Sequence, residues 1–172
     1  MTEATHETDD SLPQHLPVQG RAFVVDRARA ADVPAVVALL RDDVLGAGRE
    51  ATPDDLAPYL RAFAAVDADP HQLLVVVRDE EGTVVGTLQL SFLHGLSRGG
   101  ALRMQVEAVR IAATTRGSGL GTALLRWAAD HGRRRGAVLA QLTSDLSRTD
   151  AHRFYEGLGW VHSHAGMKLD LR

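Results

Sequence analysis

The chain has 172 residues, of which 45% are hydrophobic, enough for one domain with a substantial core and short for two. Its formal net charge is -3, and four acids (Glu3, Glu7, Asp9 and Asp10) precede the first basic residue, Arg21, so the rest of the chain is close to neutral and offers no broad basic field for nucleic acid. There is no cysteine, which removes disulfides, thiolate metal sites and a cysteine nucleophile; no apolar run approaches the roughly 20 residues needed to cross a bilayer, so a cytoplasmic protein away from the membrane is expected.

Residues 1–20 mix acids, Thr, Ser, Pro and His with little apolar periodicity and read as an unstructured tail, leaving 21–172 as the single folded domain. A short strand is expected over Phe23 to Ala28. Asp32 then looks like the cap of a helix that carries Val33, Val36, Val37, Leu39 and Leu40, with Pro34 in its first turn. Gly46 and Gly48 break that helix. Thr52 and Asp55 resemble a loose capping pair for a second helix bearing Leu56, Tyr59, Leu60 and Phe63.

Gln72 to Arg78, the turn residues Asp79 to Gly82, and Thr83 to Phe92 read as a hairpin of two strongly apolar strands. After a turn at Gly95 to Gly100, Ala101 to Ala112 is a third consecutive strand. Leu120, Ala123, Leu124, Trp127, Ala128 and His131 recur at helical spacing until Gly136 ends the run. Val138 to Thr143 is a short buried strand, Asp150 to Gly157 a helix, and Trp160 to Leu171 one or two closing strands. Hairpins followed by a strand-helix-strand unit predict an α/β (α+β) fold: a mixed, mostly antiparallel sheet of about six or seven strands with helices on both faces.

The most informative segment is Arg116-Gly117-Ser118-Gly119-Leu120-Gly121-Thr122, lying between a strand and a long amphipathic helix. Glycines let the backbone turn tightly and approach a ligand, and the unpaired N-H groups of a helix's first turn attract an anion such as a pyrophosphate. A dinucleotide G-x-G-x-x-G motif fails, because Thr122 or Leu124 falls where its third glycine belongs, and a P-loop fails because the only lysine is Lys168.

The pattern Arg/Gln-x-x-Gly-x-Gly/Ala is met by Arg116, Gly119 and Gly121, and Asp150-Ala151-His152-Arg153-Phe154-Tyr155-Glu156-Gly157-Leu158-Gly159-Trp160 looks like A-x-x-F-Y-x-x-x-G-F with Trp in the last place. On these two motifs the chain, from about Phe23 to its end, resembles the GCN5-related N-acetyltransferases. The resemblance implies an acetyl-CoA-dependent N-acetyltransferase acting on a primary amine of a small molecule, peptide or protein. It implies that the turn, with Gly117, Ser118, Leu120 and Thr122 beside its motif residues, holds the pyrophosphate, and that Arg110 on the preceding strand and Tyr155 also meet the cofactor. It also implies that the backbone of Val109 and Ile111 pairs with the pantetheine arm, and that a backbone N-H on this strand stabilises the oxyanion. A non-catalytic acyl-CoA-binding sensor is the alternative. A homodimer is a family-level expectation, and no metal cofactor is expected.

A lysine-like amine, with a pKa of about 10.4, is free base in only about one molecule in a few thousand at neutral pH, so a base is useful. Glu107 interrupts the apolar strand, and simple alternation puts it on the face of Val109 and Ile111. It is read either as that base, as the family often has it, or as a structural ion-pair partner of Arg103, Arg110 or another arginine. Tyr155, placed by the family motif, is either the acid that protonates the CoA sulfur or a buried aromatic whose hydroxyl meets a backbone carbonyl. His162 and His164 alternate like metal ligands but lack an evident third. Acceptor pockets in the family are lined by the first two helices and the final strands, where Asp42, Asp43, Glu50, Asp54 and Asp55 could attract a cation.

Overall fold

The computed structural model describes residues 11–42 and 55–171, so Gly46, Gly48, Thr52, Asp43, Glu50 and Asp54 lie outside the described residues. The chain divides into two compact units, 1–141 and 142–172.

The first unit is built on strands β1 (Gln14–Val18), β2 (Arg21–Arg27), β3 (Gln72–Arg78), β4 (Val84–Leu93), β5 (Arg103–Ile111) and β6 (Leu139–Leu142), which lie side by side in chain order. The first five pair antiparallel with their neighbours. Val138 donates its N-H to Leu102 O (3.0 Å) and Gln141 Nε2 reaches Gln105 Oε1 (2.8 Å); the constant sequence offset means that β6 runs parallel to β5. The sheet is therefore mixed. A parallel neighbour needs a crossover, supplied by α4 (Leu120–Arg134).

Strand β1 lies inside the segment expected to be a tail. It forms because Gln14–Val18 finds the edge of β2, with Leu16 opposite Phe23, and because the Trp127 indole N-H donates to Gln14 Oε1 at 2.7 Å. Neither partner is visible from the local polarity of the segment.

Helices α1 (Val33–Arg41) and α2 (Ala57–Ala68) cover one face, and α4 the other. Val36 of α1 packs with Ala28 and Val76, while Phe63 of α2 and Leu74 close over them. The other face meets α4, whose Leu120, Leu124, Leu125, Trp127, Ala128, His131 and Gly132 form a buried stripe. Each fully buried Leu contributes roughly 1.5–3 kcal/mol, so this stripe fixes α4 firmly on the sheet. Between the faces, Val75, Val76, Val77, Leu88 and Leu90 are wholly buried.

Asp32 occupies the cap position of α1, but its carboxylate turns back: Oδ2 accepts the Arg29 N-H (2.9 Å) and Oδ1 the Arg78 guanidinium (2.7 Å). That pair locks the start of α1 to β3. Asp55 Oδ1 accepts the Ala57 N-H (3.1 Å), but Leu56 occupies the cap position of α2, so Asp55 stands before the helix and not at the third helical position that pairing with Thr52 required. A single helical turn, α3 (Ser97–Gly100), joins β4 to β5, with Arg98 and Gly99 at positive φ.

The second unit contains α5 (Thr149–Gly157), where the helix was expected. Gly159, at φ +88°, ends it, and the Trp160 N-H returns to Tyr155 O (3.1 Å). The closing strand or strands expected over Trp160 to Leu171 do not form: the segment has no regular structure, and Val161, Met167 and Leu169 are more than four-fifths exposed. Alternating apolar residues make a strand only when a neighbouring strand supplies a ladder of hydrogen bonds, and no strand ladder among the described residues includes this segment. No helix among the described residues is long and apolar enough to cross a membrane.

Candidate active site

The site begins at an irregularity in the β4–β5 ladder. Gln89 faces Glu107 and Thr87 faces Arg110, so Leu88 alone stands against both Ala108 and Val109. The extra residue is a β-bulge, and Ala108 takes φ +53°, a left-handed conformation uncommon for a residue with a Cβ. Ala108 and Val109 therefore have no register partner on β4. The Arg110 side chain folds back, Nη1 donating to Val109 O at 2.8 Å.

The bulge changes which face each side chain occupies. Directly opposed residues share a face, so Glu107, Gln89, Thr87, Arg110 and Val76 lie together on the side of α1 and α2. Ile111 pairs with Gly86 and lies on the opposite face, against α4. The expectation that Glu107 shares a face with Ile111 is thus corrected: one inserted residue inverts the alternation. Glu107 is exposed, and no hydrogen bond or ion pair to another described residue holds its carboxylate, so the ion-pair reading finds no partner among the described arginines.

Beyond Ile111, a turn of 3-10 helix (Ala113–Thr115) leads into the glycine loop. Gly117 and Gly119 have φ of +78° and +87°, values that explain why glycine is needed at both. A Cβ on Gly117 would meet nothing within 4 Å, so this side of the turn is open. Gly119 caps α4, whose first backbone bond runs from Ala123 N-H to Gly119 O (3.0 Å). The N-H groups of Leu120, Gly121 and Thr122 precede that bond and have no intrahelical partner; Ser118 Oγ takes only the first, at 3.3 Å. The turn presents an electropositive cradle for an anion.

Arg116 points elsewhere. Its Nε donates to Ile111 O (3.3 Å), and its Nη2 donates to both Asp42 O (2.9 Å) and Asp42 Oδ2 (2.8 Å) at the end of α1.

Tyr155 belongs to the second unit, on α5, partly buried between Phe154 (ring centroids 5.5 Å apart) and Trp160 (6.2 Å). His152 and His162 have centroids 5.9 Å apart, and the His164 ring nitrogen meets Ser163 Oγ at 2.7 Å. A recess of about 410 Å³ lies at the opposite end of α4 from the glycine turn, lined by Arg27, Arg29, His131 and Arg135 among others, and is separate from the cradle.

Sequence reasoning placed the glycine turn ahead of α4 and Glu107 on the strand before it, but missed the bulge, for which the residues around Ala108 carry no signal, and the Asp42–Arg116 bridge, which joins residues far apart in the chain.

A bulged strand, a glycine turn and a helix N-terminus on a mixed sheet make a site suited to a phosphate-bearing ligand. The model of the acetyltransferase (GNAT) family matches residues 33–160, and the chain belongs to that family. It is 32% identical over 112 residues to an aminoalkylphosphonate N-acetyltransferase of Salmonella typhimurium, a match covering 64% of this chain and 70% of that protein. A solved transcriptional regulator from Bacillus halodurans C-125 is 38% identical, with a TM-score of 0.82 over 87% of this chain and 99% of that one. Glucosamine-6-phosphate N-acetyltransferase from Arabidopsis thaliana shares the fold, at 17% identity and a TM-score of 0.71 over 87% and 99% of the two chains.

Proposed function

We propose that this chain transfers the acetyl group of acetyl-CoA to the primary amine of a small molecule by direct attack on the thioester. The observation that carries the reading is the cradle: two left-handed glycines at the turn and the free N-H groups of Gly121 and Thr122, directly after a bulged strand. The N-H groups of the turn bind the pyrophosphate, and the backbone around Val109 and Ile111 takes the pantetheine arm, helped by the loss of register partners at Ala108 and Val109.

In the reaction the amine nitrogen bonds to the thioester carbonyl carbon, the C-S bond breaks, and CoA leaves as thiolate. Glu107 removes a proton from the ammonium, directly or through water; its exposed carboxylate on the α1/α2 face, with no partner among the described residues, suits that task. A backbone N-H of the bulged strand stabilises the oxyanion, Tyr155 gives a proton to the departing sulfur, and the second proton that nitrogen sheds as the tetrahedral intermediate collapses restores the phenol through water. The name of the Salmonella relative makes aminoalkylphosphonates the first acceptors to try.

Calorimetric titration of acetyl-CoA into the wild type and into Gly119→Trp, followed by assay of CoA release with aminomethylphosphonate and a panel of other amines, tests the reading. Binding by the wild type that is lost in the variant, with release driven by at least one amine, is expected. No binding at millimolar acetyl-CoA would overturn it.

A second reading, a non-catalytic acyl-CoA sensor, is favoured by the regulatory name of the Bacillus halodurans relative. It requires acetyl-CoA binding with no CoA release for any amine.

A further inference from the structure

The motif arginine of a phosphate-binding turn is naturally taken for a phosphate ligand, yet here the guanidinium of Arg116 is already engaged with protein. Three of its five N-H donors reach acceptors: Ile111 O at the end of β5, and Asp42 O and Oδ2 at the end of α1. Asp42 ends α1, its own N-H bonded to Ala38 O (3.1 Å), so its main-chain carbonyl and its carboxylate together form a negative pole that draws the cation. The next residue after Arg116 is Gly117, where the left-handed turn begins.

We propose that Asp42 is a positioning residue for the cofactor turn, acting through Arg116. Arg116 serves as a strut that pins the turn to the ends of α1 and β5, and it does not itself bind the pyrophosphate. The inference rests on the acetyl-CoA reading of the turn. It follows that the end of α1, on the face that carries Glu107, and the turn that opens α4, on the other, are held in register by one side chain.

The two roles of Arg116 predict opposite signs for the loss of one charge. If Arg116 were a phosphate ligand, Asp42 would compete with the cofactor for it, and removing the carboxylate's charge would tighten binding. If Arg116 is a strut, removing that charge loosens the turn and weakens binding. The pair is about half exposed, so the effect is modest, roughly two- to fivefold in Kd.

The experiment is calorimetric titration of acetyl-CoA into the full-length wild type, Asp42→Asn, Asp42→Glu, Arg116→Ala and the double variant Asp42→Asn/Arg116→Ala, with thermal unfolding of each. Weaker binding by Asp42→Asn is expected, with recovery in Asp42→Glu and an unchanged melting midpoint. Asp42→Asn should have no further effect once Arg116 is absent. Binding by Asp42→Asn that equals or exceeds that of the wild type overturns the strut. Failure of the wild type itself to bind overturns the acetyl-CoA reading, and the strut with it.

Discussion

Gly132 of α4 lies so close over Met104 of β5 that a Cβ on the glycine would stand 2.7 Å from the Met104 sulfur and 2.9 Å from its methyl carbon. The helix that opens at the glycine turn is thus seated on the strand that carries Glu107 by contact between a hydrogen and a thioether, and Met104 is only 1% exposed. Replacing Gly132 with Leu overfills that contact. Urea unfolding should show a loss of about 1–3 kcal/mol, partly recovered by adding Met104→Ala. An unchanged midpoint for Gly132→Leu would mean that α4 is free to lift.

Glu107 has no described partner to lose, so Glu107→Gln should leave the unfolding midpoint and acetyl-CoA binding unaltered. As the base, its loss lowers kcat/KM for the amine by roughly 10²–10⁴. A change of less than threefold, measured with whichever amine proves active, would assign proton removal to another group.

The Asp32–Arg78 pair is the most buried ion pair among the described residues, with side chains 9% and 26% exposed. Arg78→Ala leaves the Asp32 carboxylate with only the Arg29 N-H as a partner. A loss of about 2–3 kcal/mol in chemical unfolding is expected, because an unpaired buried charge costs more than the pair contributes. Asp32→Ala in the same background should return part of that loss.

Asp69 titrates below its ordinary value of 3.8, held there first by the side-chain hydrogen bond from Gln72, then by the His71 N-H and the His71 charge. A carboxylate whose pKa is lowered by folding stabilises the protein above its unfolded pKa, and that contribution is lost as pH falls through the lowered folded value. Carboxyl-detected titration should place Asp69 below 3.8, and Gln72→Leu should move it upward. A Gln72→Leu midpoint equal to that of the wild type would show that the side-chain bond does not form.

The sequence by itself determined what depends on neighbours along the chain. The helical recurrence of Leu120, Leu124, Trp127 and Ala128 set α4, the Asp79–Gly82 turn set the β3–β4 hairpin, and the spacing of Arg116, Gly119 and Gly121 marked the glycine turn that opens α4, because helices, tight turns and helix N-termini are built from local bonds. Only the tertiary structure decided what depends on distant partners. Gln14–Val18 became a strand because β2 and Trp127 were there to receive it, while the better-patterned segment after Trp160 joins no strand ladder among the described residues. Strict alternation placed Glu107 with Ile111, but the bulge at Ala108 turned it to the α1/α2 face, since side-chain direction in a sheet is fixed by register with the neighbouring strand and not by counting along one strand.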